Sequence, residues 1–256
     1  MNGPVGDGPG GTSVRGMGDL PAGLSMDSRR RPVAFTLLAA LALALSLLAA
    51  CASAPPPDWQ MNAKSSLERA IDAYLSGSGR VADSEFARAR SELARTGRAD
   101  LLARAELTRC AARVASLEFD DCPGFAALAP DATPAERAYA DYLAGKASAQ
   151  DAALLPAAHR DVAVGKASAR SLSGVPDPLT RLIIAGVLLR SGNVVPAMFE
   201  SAVDTASAQG WRRPLLAWLN VQLQRADTAG ETVETARLRR RIGLVLDGGA
   251  RAAPVQ

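Results

Sequence analysis

DPLTRLIIAGVLLRSG, residues 177–192, is an apolar run that stops on a glycine. Three segments of the same build follow it: VVPAMFESAVDTASAQG (194–210), RRPLLAWLNVQLQRADTAG (212–230) and ETVETARLRRRIGLVLDG (231–248). Each reads as a helix, because alanine, leucine and arginine are strong helix formers and glycine closes a helix in the left-handed conformation. The closing glycines Gly192, Gly210, Gly230 and Gly248 stand 18, 20 and 18 residues apart, and Gly77 to Gly97 and Gly145 to Gly165 repeat the 20-residue step. A helix with its turn fills that length, and two make a hairpin of about 38 residues. The pattern predicts an all-α fold, a helical-hairpin array that is either a regular solenoid or an irregular bundle.

The same grammar extends toward the N-terminus. SSLERAIDAYL places Leu67, Ile71, Tyr74 and Leu75 on one helical face ahead of Gly77. In DSEFARARSELARTG, Asp83 is the expected N-cap, Phe86 and Leu93 point inward, and Gly97 is the stop. A further helix runs from Asp100 to about Leu117. TPAERAYADYLAG has capping-box spacing, with Thr133 as cap, Pro134 at the first helical position, Glu136 three after the cap and Gly145 at the end. Residues 147–173 are helical in composition but interrupted by Pro156 and Gly165. Apolar residues make up 48% of the 256 and aromatic ones only 4%. That is enough for a packed core, built mainly from alanine and leucine. One domain is expected over 62–248, followed by a disordered tail at 249–256.

Three family resemblances bear on this chain. Gly192 and Ala197 sit where a tetratricopeptide unit has its turn glycine and following alanine, although that family's tryptophan, tyrosine and proline positions are not filled together. The second concerns the N-terminal part. Arg29, Arg30 and Arg31 precede a charge-free run, VAFTLLAALALALSLLAA, and then Cys51. Leu48-Ala49-Ala50-Cys51 resembles the lipobox of bacterial lipoproteins. The resemblance implies cleavage between Ala50 and Cys51, a diacylglycerol thioether on Cys51, and membrane lipid as a partner through that acylated cysteine. Ala52 in place of aspartate implies the outer membrane, facing the periplasm. On this reading residues 1–25 are a disordered extension or lie before the true start at Met26. Residues 26–50 are the signal peptide, and 51–61 are the lipidated cysteine with a proline-rich tether. An uncleaved spanning helix is the alternative for the apolar run.

Few residues offer chemistry. Of 29 basic and 26 acidic side chains, Arg15, Arg29, Arg30, Arg31, Asp7, Asp19 and Asp27 precede Cys51, leaving a balance of about +2. Such a balance gives no field for nucleic acid. His159 is the sole histidine, which leaves no paired metal spacing and no nucleophile triad; it is expected at the surface or at a cap. No metal, cofactor or catalytic set is assigned. Cys110 and Cys122 are expected to form a structural disulfide, with two buried thiols as the alternative. Phe199-Glu200-Ser201, with Ala208 and Gly210, resembles the Glu-Ser segment of lytic transglycosylases, which implies Glu200 as an acid acting on peptidoglycan. The family's following Gly-Leu-Met-Gln segment is replaced here by Trp211-Arg212-Arg213-Pro214. Trp211 and Trp218 have core spacing and are also candidates, with Arg239 and Arg240, for a partner surface. The expected function is an outer-membrane lipid-anchored scaffold or adaptor that binds envelope proteins without catalysis. A degenerate peptidoglycan-acting enzyme using Glu200 is the alternative.

Overall fold

The computed structural model describes Thr36, Leu38, residues 55–166, Leu172, residues 174–194 and residues 196–252. The extension at 1–25, the signal at 26–50 apart from Thr36 and Leu38, the cleavage site at Ala50 and Cys51, and residues 253–256 lie outside the described residues. From Pro56 onward the chain forms one unit. Its helices are α1 (Asp58–Leu75), α2 (Gly79–Ala94), α3 (Ala99–Ala115), α4 (Pro123–Ala126), α5 (Pro134–Leu143), α6 (Ala157–Ala163), α7 (Pro178–Arg190), α8 (Ala197–Ala208), α9 (Arg212–Thr228) and α10 (Thr232–Ala252). Single 3-10 turns occur at Ala129–Asp131 and Asp151–Leu154. Among the described residues there is no strand, and no helix is long and apolar enough to cross a membrane. The expected all-α array is therefore what the chain adopts.

Seven of the eight glycines expected as helix stops take positive φ: Gly77, Gly97, Gly145, Gly165, Gly192, Gly210 and Gly230. At most of them the two following amides close the helix. After α7, for example, Gly192 N–H donates to Leu189 O at 3.2 Å and Asn193 N–H to Leu188 O at 2.9 Å. Gly248 is the exception, because α10 runs through it to Ala252 and takes up residues expected in a disordered tail. The end of α3 closes in the same way without a glycine. Leu117 holds φ 59, while Glu118 N–H reaches Arg113 O at 2.9 Å. A side chain in that conformation costs about 1–2 kcal/mol.

Two helix starts differ from expectation. Asp83 is not an N-cap. The close of α1 at Gly77 has already turned the chain, so α2 begins at Gly79 with Ser78 O accepting from Ala82 N–H at 3.0 Å. Asp83 lies one turn in and pairs with Arg109 at 2.9 Å. Likewise α1 starts at Asp58, inside the expected tether: Pro57 is extended, and a carboxylate in the first turn suits the helix dipole. At α5 the capping box is present as read. Thr133 N–H donates to Glu136 Oε2 at 2.8 Å and Glu136 N–H to the Thr133 hydroxyl at 3.4 Å.

The core is centred on α7 and α3. In α7 every residue from Leu182 to Leu188 is buried, so the helix is apolar all round and must be enclosed. It packs against α3, α5, α6 and α8, while α3 also meets α1, α2 and α5. At the α3–α7 crossing Gly186 faces Val114, and a Cβ there would stand 2.3 Å from the Val114 carbonyl oxygen. Gly186→Ala is accordingly expected to lose about 1–3 kcal/mol in urea unfolding, despite its better helix propensity. Gly243→Ala, with open space around its Cβ, is expected to gain up to about 1 kcal/mol. Equal effects at the two sites would remove the close approach as the cause.

Successive helices α7 to α10 pack side by side, but α1 also touches α9. A solenoid's units contact only their neighbours; contact between the first and ninth helices makes this an irregular array. Arginines fasten the junction. Arg213 Nε donates to Tyr74 O at 2.8 Å, its Nη1 to Glu118 at 3.1 Å, and its guanidinium lies 4.3 Å from the Tyr74 ring centroid.

Candidate functional site

The turn after α3 carries the cysteine pair. Cys110 is buried on α3, and Cys122 caps α4 in a left-handed conformation at φ 47. Their Cα atoms are 5.8 Å apart, within disulfide reach, and the two sulfurs are joined. Asp120 stands beside them. Its carboxylate is engaged by Arg113 at 2.8 Å and also accepts the Cys122 N–H at 3.2 Å. The trio of Cys110, Asp120 and Cys122 is thus a fastened turn and not a ligand set held open.

His159 is not at the surface. It is 4% exposed on α6, where its Nδ1 shares a 3.0 Å hydrogen bond with the Tyr142 hydroxyl. Tyr139 and Tyr142 meet the imidazole edge-on, at 5.5 and 4.8 Å between centroids. Its position in α6, after the break at Pro156, turns the ring onto α5 and away from water. Burial pushes the imidazole down to about 4, with Asp177 pulling weakly the other way; burial likewise raises both tyrosines above their usual range. The neutral ring is therefore the folded form. Above about 6.5, the unfolded value, its contribution is fully present. As pH falls from about 6.5 through 4, the unfolded chain takes up a proton that the folded one refuses, and about 3 kcal/mol of stability is lost. Unfolding free energy measured across that window should fall in the wild type and stay flatter in His159→Phe. Parallel curves would show that the ring is not the titrating group.

The expected partner surface is divided by the fold. Trp218 is fully buried in the core, because the apolar face of α9 on which it lies turns toward α3 and α8; it contributes no outer surface. Trp211 is half-buried at the start of α9. Arg239 and Arg240 are exposed on α10, with Arg239 paired to Asp227 at 3.1 Å.

Glu200 is exposed on α8 and lines a cleft of about 500 Å³ between α8, α9 and α10. Asp204, Glu231 and Glu234 share its walls with Arg225, Arg237 and Arg241. Arg225 is stacked 4.2 Å from the Phe199 ring centroid, and Arg237 holds Glu234 at 2.6 Å. Along α10, Val233 (83%), Leu244 (73%) and Leu246 (54%) are exposed.

A second, apolar groove lies along α1. Two cavities, about 370 and 480 Å³, share Lys64, Leu67 and Thr108 on their walls and so run end to end. Their floor follows Trp59, Ala63, Leu67, Ile71 and Leu75, every fourth residue of α1. Leu101 and Ala105 of α3, Leu179 of α7 and Trp211 complete it. Sequence reading did not single out this groove, since its far wall comes from helices distant in the chain; the four-residue spacing from Trp59 was the one local sign. No family model, curated protein or solved structure matches this chain.

Proposed function

We propose that the protein is a lipid-anchored envelope adaptor that docks a protein partner on the α8–α10 end of its array. What supports this is the terminal helix: Val233 and Leu244, eleven residues apart and so on one face of α10, are largely solvent-exposed, and the same helix walls a cleft lined by both signs of charge. Apolar anchors with a charged rim are the usual make-up of a protein interface. The anchor at Cys51 and the outer-membrane location, facing the periplasm, belong to the same proposal and rest on the lipobox resemblance. A photo-crosslinking residue at Leu244 should then capture a partner of defined mass in intact envelopes, and one at the exposed Ala87 of α2 should not. Val233→Asp, which leaves the core untouched, should weaken the capture. Equal labelling at both positions would remove the reading.

A second reading keeps Glu200 as the acid of a peptidoglycan-acting enzyme, and its support is that Glu200 lines the α8–α10 cleft. Glu200→Gln with undiminished wall-cleaving activity, or an inert wild type, would discard it.

A further inference from the structure

The free charges of the cleft between α8, α9 and α10 are sorted by sign. Glu200 and Asp204, one turn apart on α8, and Glu231 in the turn before α10 are its unpaired carboxylates; Arg225 of α9 and Arg241 of α10 are its unpaired guanidiniums. Among the described residues none of the five makes an ion pair or a side-chain hydrogen bond. The other two charges on the walls neutralise each other. Arg237 holds both oxygens of Glu234, at 2.7 and 2.6 Å, and reaches Glu200 only through space. Arg225 is oriented without being spent: its face lies on the Phe199 ring at 4.2 Å, while the N–H donors along the edge of its fork stay free. The floor between the charges is apolar, with Phe199, Val203, Ala226 and Leu238 all buried.

Those charges narrow the occupant. A purely apolar ligand would take the five ionic groups out of water and give them no partner. A metal ion or a simple anion answers one sign and is repelled by the other. A single amino acid brings one charge of each sign to two free guanidiniums and three free carboxylates. A short peptide with basic and acidic side chains answers both sets. In an extended chain successive side chains point to opposite sides, here toward α8 and toward α10. The cleft, at about 500 Å³, falls inside the roughly 300–1,000 Å³ of ligand sites.

We infer that this cleft binds an extended peptide segment of mixed charge. Its basic side chains meet Glu200 and Asp204, and its acidic side chains meet Arg225 and Arg241. The segment belongs to the docked protein partner, and for that source alone the inference rests on the docking reading. Mixed charge also sets selectivity, because a segment of one sign satisfies one set of walls and is repelled by the other.

The test is selection from a phage-displayed library of random short peptides on the immobilised full-length protein. The enriched sequences should carry Lys or Arg together with Asp or Glu. A synthetic copy of the most enriched one, followed by fluorescence anisotropy, should bind less well as salt rises. Arg225→Gln and Glu200→Gln should each weaken it about tenfold, the effect of one charge-assisted hydrogen bond. Both side chains are exposed, and unchanged emission from buried Trp218 reports that each variant is folded. Selection repeated on Arg241→Glu should return sequences depleted in acidic residues. Enrichment of peptides of one sign, or of the same sequences by Arg241→Glu, would overturn the inference. Capture of a partner at Leu244 with no peptide enriched would remove the cleft and spare the docking surface. Mixed-charge peptides enriched with no capture at Leu244 would keep the cleft and remove the docking surface.

Discussion

Replacing Trp218 by alanine should lower stability by about 3–5 kcal/mol, the range for emptying a large aromatic site in a core. Three things are lost together. The ring is wholly enclosed, so the side-chain volume becomes a cavity between α9, α3 and α8. Its edge-to-face contact with Phe199, 6.3 Å between centroids, disappears. The indole N–H also caps the C-terminal end of α3 by donating to Ala115 O at 3.1 Å, and that carbonyl is left buried without this donor. Trp218→Phe restores most of the volume but not the donor, and should recover more than half of the loss. Urea unfolding followed by far-UV circular dichroism measures both. A loss below about 1 kcal/mol for the alanine variant would mean that the α3–α9 contact is not part of the cooperative core.

The second large effect is at the cysteine pair. Cys110→Ala with Cys122→Ala is expected to cost about 2–4 kcal/mol, from the freedom restored to the unfolded loop. The turn itself should keep its course, because Arg113 still holds Asp120 and Arg190 Nη1 still donates to Asp120 O at 3.3 Å. The helical spectrum should therefore be unchanged at low denaturant while the midpoint falls, and reductant should do to the wild type what the double substitution does. Thiols that react freely in the native protein without reductant would contradict this.

Local chemistry made much of the fold legible. Thr133, Pro134 and Glu136 announce the start of α5 because a capping box is written in four adjacent residues. The glycine stops are legible because a positive φ is cheapest there. What lay out of reach depends on residues far apart. Leu117 ends α3 in a conformation that favours glycine, held by Arg113 and Val114 carbonyls and by packing against the core. Gly186 reads locally as a weak point in a helix; only its approach to Val114 shows that the crossing of α3 and α7 requires it. His159 follows an alanine-rich stretch with no sign that Tyr142 waits opposite. The same limit hid the apolar groove, one wall of which is visible in the spacing along α1 and the other only once α3, α7 and α9 are in place.

The contact between α1 and α9 bears on how quickly this chain can become complete. Hairpin α1–α2 is made of near neighbours, the kind of contact that forms early and fast. Arg213 and Tyr74, by contrast, are 139 residues apart, and Trp218 and Ala115 are 103 apart. With the chain delivered N-terminus first, the donor for Ala115 O arrives long after its acceptor. During that interval the ends of α1 and α3 lack their long-range caps, and the apolar face destined for α9 is open to water. The folding protein thus passes through a period of vulnerability whose length is set by topology and not by the propensity of any one helix.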